Sequence, residues 1–316
     1  MNLNDLVSIC IVNWNSGDLL NNCLKSISNQ TPNIEVIIFD NASSDKSIIN
    51  IENKFPTLDL KIIKSDLNLG FGKACNILSK NSSKPYILFL NPDTEINKNA
   101  LTKPIQFLLN NQNVAVCGIM LLNNANEVSR SCARFPKFLN LIFTSLGLNK
   151  LSGKLFKSFH MHEWDHKTSS YVDHVIGAFY LIKKDIFEKL QGFDEDYFLY
   201  FEDLDLSKRV QKSGYKIFYM TDACAFHIGG GTTDKIRDKR LYLSIKSKLL
   251  YSKKHLFKIE YFTVLFFTLT VEFLVRILIL ALTLKYKEVI HTIRGYKMLY
   301  RDFIKAFYFR FIKNEK

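Results

Sequence analysis

Six cysteines in 316 residues, none spaced as a CxxC pair and none clustered, leave no thiolate zinc site and no disulfide framework. They stand at Cys10, Cys23, Cys75, Cys117, Cys132 and Cys224, a scatter that fits a reducing compartment. No basic segment precedes the first apolar run, Leu6 to Val12, and the run itself is too short for a secretion signal, so a cytosolic chain is expected. Internal repeats are absent, and so are low-complexity tracts beyond a basic bias in the tail. Neither GxGxxG nor a Walker loop occurs, because Lys73 follows a single glycine without the required spacing. What the chain does have is 47% hydrophobic residues, enough for a full core, which excludes a disordered chain.

The charge is unevenly placed. The formal net charge is +13. Residues 1 to 234 carry 24 basic and 24 acidic side chains, whereas residues 235 to 316 carry 19 basic and 6 acidic ones. A neutral body with a basic appendage is the reading that follows, and it sets the expected domains: a body over 1–234 and a helical tail over 235–316.

Up to about residue 120, short apolar runs alternate with longer amphipathic segments. The runs are Val7 to Val12, Glu35 to Phe39, Leu60 to Ile63, Tyr86 to Leu90 and Val114 to Met120. Between them, Leu19 to Ser28, Ser47 to Lys54, Gly72 to Ser79 and Ala100 to Asn110 are long enough for helices. This βαβαβαβαβ pattern predicts an α/β fold with a mostly parallel sheet buried on both faces. Ligands of such sheets bind beyond the carboxyl ends of the strands. Polar residues collect at those ends: Asn13 and Asn15, Asp40 and Asn41, Asn91 and Asp93. Residues 121 to 170 read as loop, and HMHEWDH within them as a surface loop, since its spacing matches no zinc pattern. Farther on, the sequence predicts a strand and a helix within YVDHVIGAFYLIKKDIFEKL, a helix over Glu202 to Ser213 and a strand over Lys216 to Met220.

Several segments have the composition of a site. Asp40 closes a hydrophobic strand, where its carboxylate can accept hydrogen bonds from a base or ribose; the same DNASSD stretch can equally serve as a turn with a helix cap. Gly70 and Gly72 precede a helix, where backbone can approach phosphate or sugar. The proline-stiffened turn after Leu90 presents Asp93 as a candidate ligand for a hard divalent cation. Acidic and aromatic residues interleave from Phe193 to Asp205. Asp205 and Arg209, four apart, read as a structural pair, which leaves Glu202 and Asp203 at the helix entrance as candidates for general-base chemistry. His227, followed by Gly229 to Gly231, reads as a metal ligand or phosphate contact.

Taken in order, VSICIVNWN, DNASSD, NLGFGKACN, LFLNPDTEI, VIGAFYLIKKDIFEKLQGFDEDYFLYFEDLDLSKRVQKSGYKI and AFHIGGGTT resemble the family-two inverting glycosyltransferases. The nearest branch is the rhamnosyltransferase-like enzymes of bacterial O-antigen and cell-envelope polysaccharide synthesis. The resemblance, over residues 6 to 235, implies a GT-A fold, a nucleotide-diphosphate-sugar donor and a divalent cation, Mg²⁺ or Mn²⁺. It implies a donor-binding half over 1–120 and an acceptor and base half over 121–234. Asp40 would contact the nucleoside with Asn13 lining the same pocket, and Asn68 and Gly70 would lie near the donor. Asp93 would hold the metal against the pyrophosphate; the turn reads NPD where many relatives read DxD or DAD, so Asp93 stands as the sole carboxylate there. His227 would complete the metal or phosphate site. Asp203 would be the base, with Glu202 as runner-up, and Gly177 and Ala178 would sit by the acceptor. Arg130 and Arg134 would contact donor phosphate or the diphosphate of a lipid-linked acceptor. Rhamnose from dTDP-rhamnose is the implied donor, with UDP- or GDP-hexoses as the alternative, and a polyprenyl-diphosphate-linked saccharide is the implied acceptor.

Residues 261 to 284 are long enough to span a bilayer, yet Glu272 and Arg276 interrupt their centre and both flanks are basic. A re-entrant or in-plane helix at an anionic membrane surface, on the cytoplasmic face of the inner (plasma) membrane, is therefore expected over a single span. Leu299, Phe303 and Phe307 at helical spacing fit the same surface; a core helix packed on the catalytic domain is the competing reading. Nucleic acid, which the raw charge alone would suggest, is not expected as a partner.

Overall fold

In the computed structural model, which describes residues 2–152, 155–229 and 236–311, the apolar runs are strands. In chain order the strands are β1 (Val7–Asn13), β2 (Glu35–Asn41), β3 (Asp59–Ser65), β4 (Tyr86–Leu90), β5 (Thr94–Ile96) and β6 (Val114–Leu122). They continue as β7 (Cys132–Ala133), β8 (Ser170–Val172), β9 (His174–Val175), β10 (Phe179–Lys183) and β11 (Lys216–His227). The helices are α1 (Asp18–Gln30), α2 (Ile51–Lys54), α3 (Phe71–Asn81), α4 (Thr102–Asn110), α5 (Phe138–Ser145) and α6 (Leu148–Leu151). After them come α7 (Lys184–Lys189), α8 (Glu202–Lys212), α9 (Arg237–His255), α10 (Lys258–Leu269), α11 (Val271–Leu282) and α12 (Tyr286–Phe311).

The chain divides into two units, Met1–Phe135 with Phe159–Thr232, and Pro136–Ser158 with Thr233–Lys316. The expected boundary at 234/235 and the glycines Gly230 and Gly231 lie outside the described residues. Residues 136–158, expected in the body, belong instead to the unit of the basic tail, because α5 packs against α10 and α11.

The first unit is built on a nine-stranded sheet ordered β3-β2-β1-β4-β10-β6-β11-β5, with β8 paired to β11. β1, β2 and β4 are buried at every position, so each reads as a continuous apolar run. β3, at the edge, is partly exposed throughout. The β3-β2-β1-β4 half is parallel, as expected. β6 is not the neighbour of β4. Strand β10 lies between them and runs antiparallel to both. The predicted helix over 47–54 shrinks to Ile51–Lys54, because Asp45 and Ser47 bond to each other and to the β1–α1 turn rather than capping a longer helix. The last strand extends through His227, seven residues beyond the expected end, by pairing with β5. HMHEWDH is a loop with His160, His162, Glu163 and Asp165 exposed, as expected, but its last residue turns inward: His166 has no exposed surface, and its carbonyl accepts from the Tyr219 hydroxyl at 2.8 Å. All six cysteines are free thiols, five of them buried.

The second unit is helical. α9 packs on α12 and α10, and α12 also packs on α11. Gly295 permits the close approach of α12 to α9; a Cβ there would stand 2.9 Å from the Asp238 carbonyl oxygen. The inward face of α12 carries Thr292, Tyr296 and Leu299. Leu299, expected on the membrane-facing surface, is thus buried, because the helix turns this face to its neighbours. The side chain of Phe307 lies outside the described residues. The predicted helix over 261–284 is two helices broken at Thr270. Lys258–Leu282 is apolar and long enough to cross a membrane, and only 17% of its most apolar stretch is buried.

Glu272, 2% exposed, holds this unit's interior together. It accepts from Lys248, from Arg276 at 2.9 Å and from the Ser145 hydroxyl at 3.0 Å. Burial alone pushes its carboxyl up, but Lys248 and Arg276 outweigh that and hold it at about 2. Glu272→Gln leaves two cations without their counter-charge and is expected to destabilise this unit by about 3–5 kcal/mol at neutral pH. Because the folded value lies below the ordinary 4.5, the contribution is present above pH 4.5 and lost as pH falls toward 2. Thermal melts followed by helical circular dichroism check both the loss and its shrinkage in acid.

Candidate functional site

The carboxyl ends of β1 and β2 meet first. Asn13 and Asp40 are register partners, and Asn13 Nδ2 donates to Asp40 Oδ1 at 2.8 Å, to Ser47 Oγ at 2.9 Å and to Ser43 Oγ at 3.1 Å. Asp45 does not cap the helix that follows it; its carboxylate accepts from Gly17 N at 2.8 Å and so fixes the entrance of α1. The carboxyl group of Asp40 is therefore oriented by the buried Asn13 amide at the ligand edge of the sheet.

Asn41, one residue on, ties the next loop to the sheet. Its Nδ2 donates to Asn68 Oδ1 and to the Gly70 carbonyl, and its Oδ1 accepts from Leu69 N at 2.7 Å. Gly70 has φ +84°, and a Cβ would stand 2.3 Å from the Phe198 carbonyl oxygen. Phe71 N donates to that same oxygen at 2.9 Å. The bare face of Gly70 is thus occupied by the 193–201 segment, not left open.

The NPD turn is held to residues 177–178. Asn91 N donates to the Ala178 carbonyl at 3.1 Å, and Thr94 Oγ1 to the same oxygen at 3.3 Å. Thr94 pairs with His227 across β5 and β11, which brings His227 Nε2 to 3.3 Å from Asp93 Oδ1. The sequence placed these two residues 134 positions apart in one metal site, and the structure brings them into contact. A carboxylate oxygen and an imidazole nitrogen fit a divalent ion. No group of three or more His, Cys, Asp or Glu side chains suited to a metal occurs among the described residues. An ion here would take its remaining ligands from phosphate oxygens and water.

Ala178 leads to Gly177, and Gly177 to the acidic pair. Gly177 N donates to Asp203 Oδ2 at 2.8 Å, and Leu204 N to Asp203 Oδ1 at 2.8 Å. Asp203 keeps 17% of its side chain exposed. Tyr200 and Phe201, just before it, both have φ +69°, a conformation that costs bulky residues about 1–3 kcal/mol each and that clusters at functional sites. The segment is pinned elsewhere: Asn76 Nδ2 donates to the Phe193 carbonyl at 2.8 Å, and Phe193 packs against Phe71, Phe89 and Phe187.

Glu202 and Asp203 differ sharply despite being neighbours. Glu202 is 4% exposed, and its Oε2 has no hydrogen-bond partner among the described residues. Burial, with the charge of Asp203 added, pushes its carboxyl well above the ordinary 4.5. Asp205 forms the expected pair with Arg209, at 2.7 Å, and Arg209 also donates to the Leu190 and Gly192 carbonyls. Arg130 contacts His162 Nδ1, and Arg134 pairs with Glu163, so both guanidinium groups engage the 159–166 segment. The sequence reading missed Asn41, Asn76 and His174. Asn41 was noted only as a strand-end residue, and nothing local marks the other two.

The family model for glycosyl transferase family 2 matches residues 8–191. The chain belongs to this family. It is therefore an inverting glycosyltransferase. The family-2 chain is 26% identical over 255 residues to rhamnosyltransferase WbbL of Escherichia coli, covering 78% of this chain and 92% of the relative. It is 22% identical over 266 residues to the N-acetylglucosaminyl-diphospho-decaprenol L-rhamnosyltransferase of Mycobacterium tuberculosis, covering 79% and 84%. Among solved structures it resembles mannosyltransferase PcManGT from Pyrobaculum calidifontis, in complex with GDP-Man and Mn²⁺, with TM-score 0.55, 15% identity and coverage of 85% and 71%. S. aureus TarS gives TM-score 0.53 at 18% identity; the match covers 82% of this chain but only 42% of that longer one. These structures establish the GT-A fold.

One consequence of the site is a stability test. The folded value of Glu202 lies above the unfolded one, so its stabilising contribution is complete below pH 4.5 and is lost as pH rises through the folded value. Glu202→Gln should therefore raise the melting temperature at about pH 8 more than at about pH 5. Differential scanning fluorimetry at both pH values reads the difference, and an equal shift at both contradicts a protonated Glu202.

Proposed function

We propose that this family-2 enzyme moves rhamnose from dTDP-rhamnose to a polyprenyl-diphosphate-linked saccharide in the synthesis of O-antigen or another surface polysaccharide. The observation that carries the assignment of roles is the hydrogen-bonded run from Asp203 through Gly177 and Ala178 to the Asn91–Asp93 turn. It ties a partly exposed carboxylate to the end of β4, where the chain turns to Asp93, which His227 of β11 approaches. The names of the two relatives support rhamnose, and that of the mycobacterial one supports an acceptor on a lipid diphosphate.

In this reading Asp40 and Asn13 receive the nucleoside, and Asn68, with the Gly70 backbone, borders the donor. Asp93 and His227 would hold a divalent cation, Mg²⁺ or Mn²⁺, which when bound supplies positive charge against the leaving diphosphate. Asp203 accepts the proton of the acceptor hydroxyl as that oxygen bonds to the anomeric carbon and the bond to the diphosphate oxygen breaks, inverting the centre. Glu202, buried and held protonated, is unsuited to the base role. Gly177 lines the acceptor side, because a Cβ there would lie 3.4 Å from Asp203 Oδ2. Arg130 and Arg134 remain candidates for the acceptor's diphosphate, with Arg134 partly neutralised by Glu163.

The helical unit supports work at a membrane surface. Ile259, Phe262 and Phe266 on α10, and Leu274, Leu278 and Leu282 on α11, are all at least half exposed and recur at helical spacing. Exposed apolar rows of this kind beside basic segments fit an anionic lipid surface, reached in plane on the cytoplasmic face.

Turnover with a panel of nucleotide sugars and a polyprenyl-diphosphate-linked acceptor tests the proposal. dTDP-rhamnose should be the productive donor; transfer only from a UDP- or GDP-hexose would replace rhamnose with a hexose. Asp203→Asn should lower kcat by about 10²–10⁴-fold with donor binding retained, while Glu202→Gln stays within a few-fold of the parent. Asp93→Ala should abolish the dependence on added metal together with most of the activity. Flotation with liposomes checks the surface: binding to anionic vesicles and not to neutral ones is expected, and Leu278→Glu should weaken it.

A further inference from the structure

A buried polar chain lies behind Asp203 that the proposed reaction does not yet use. His174 on β9 is 4% exposed, and its Nε2 lies 3.7 Å from Asp203 Oδ2. On the other side of the ring, Nδ1 lies 3.0 Å from Ser207 Oγ, which in turn lies 3.1 Å from the Tyr180 hydroxyl. Asp203 and Ser207 are one turn apart on α8, so the ring is flanked by two residues of a single helix face. Ser207 and Tyr180 have no exposed surface.

The donors in this chain can be assigned. A carboxylate only accepts, so Nε2 carries the imidazole proton, Nδ1 accepts from Ser207, and Ser207 accepts from Tyr180. Burial pulls the His174 pKa down, against the opposing charges of Asp203 and Asp173, and keeps the ring neutral. Asp203 has about four lone-pair sites. Leu204 N and Gly177 N occupy two, and His174 Nε2 lies 3.7 Å from Oδ2, within reach of a third. One remains for an incoming hydroxyl. The 3.7 Å separation is longer than a hydrogen bond, as catalytic contacts often are before substrate arrives.

We infer that His174 is a positioning residue for Asp203, fixing through its Nε2–H the one carboxylate orientation that receives the acceptor proton, with Ser207 and Tyr180 setting its tautomer. The inference rests on Asp203 being the base.

Steady-state kinetics of the full chain on three variants tests it. His174→Phe should lower kcat by about 10- to 100-fold with the donor KM within about twofold of the parent. His174→Gln, whose amide can donate toward Asp203, should recover most of that loss, and Ser207→Ala should fall between. Parent-level kcat in His174→Phe overturns the inference. So does a His174→Gln as slow as the Phe variant, or a loss matched by equal loss of donor binding. Should His174→Phe fail to fold, Ser207→Ala decides, since unchanged turnover there shows the chain to be idle. Asp203→Asn separates the two layers: full activity in that variant removes the base assignment itself, whereas an inactive Asp203→Asn beside a fully active His174→Phe removes only the role of His174.

Discussion

The site depends on one strand running the wrong way. β10 enters the sheet between two strands of the opposite direction, so its first residues arrive at the same edge where β4 ends. That crossing sets the Ala178 carbonyl against Asn91 N and leaves Gly177 N free to turn toward α8. A parallel strand in this place would present its carboxyl end at the edge. The chain would then have to leave through a loop instead of arriving with a glycine whose N–H faces Asp203. Antiparallel insertion thus couples the turn that carries Asp93 to the helix that carries Asp203, although the two are more than a hundred residues apart in sequence.

The same constraint explains what could be read from the sequence. β1, β2 and β4 are buried on both faces, so their composition alone announces them, and the polar residue that follows each is conspicuous by contrast. The order of strands is another matter, since pairing is a long-range choice that leaves no local mark. Nothing in FYLIK states that it will separate β4 from β6. His174 is likewise silent. It sits in a two-residue strand between Asp173 and Val175, and only the arrival of α8 places Ser207 and Asp203 around its ring. The resemblance to a family puts Asp203, Asp93 and His227 forward by position, and Asp93 and His227 stand 3.3 Å apart. It could not reveal that the open side of Gly70 is filled by Phe198.

In the helical unit, charge was legible and facing was not. The excess of basic residues and the apolar length of Lys258–Leu282 are properties of composition. Which side of α12 turns inward depends on α9, and Gly295 decides how closely the two approach. Leu299 therefore goes to the interior while Ile290, Ile293 and Ile304 stay exposed. Glu272 and Arg276 look in the sequence like interruptions of a membrane span, but Glu272 acquires Lys248 of α9 and Ser145 of α5 as partners, which only the packed helices bring to it. A segment assigned to the body, 136–158, was needed to satisfy a charge in the tail.

Adjacent carboxylates at a helix entrance show most directly how a fold divides labour between like groups. Successive helical residues point about 100° apart, so Glu202 and Asp203 cannot share an environment. Glu202 turns under the aromatic segment toward Gly72, where no donor among the described residues meets its Oε2 and low polarity favours the neutral acid. Asp203 turns toward Gly177 and His174, where N–H groups converge and some surface stays open. Burial raises the Glu202 carboxyl, and the charge on Asp203 further discourages its ionisation. Exchanging the two residues would not exchange their roles, because what distinguishes them is the set of groups supplied by His174 of β9, by Gly177 in the turn after it and by the first turn of α8.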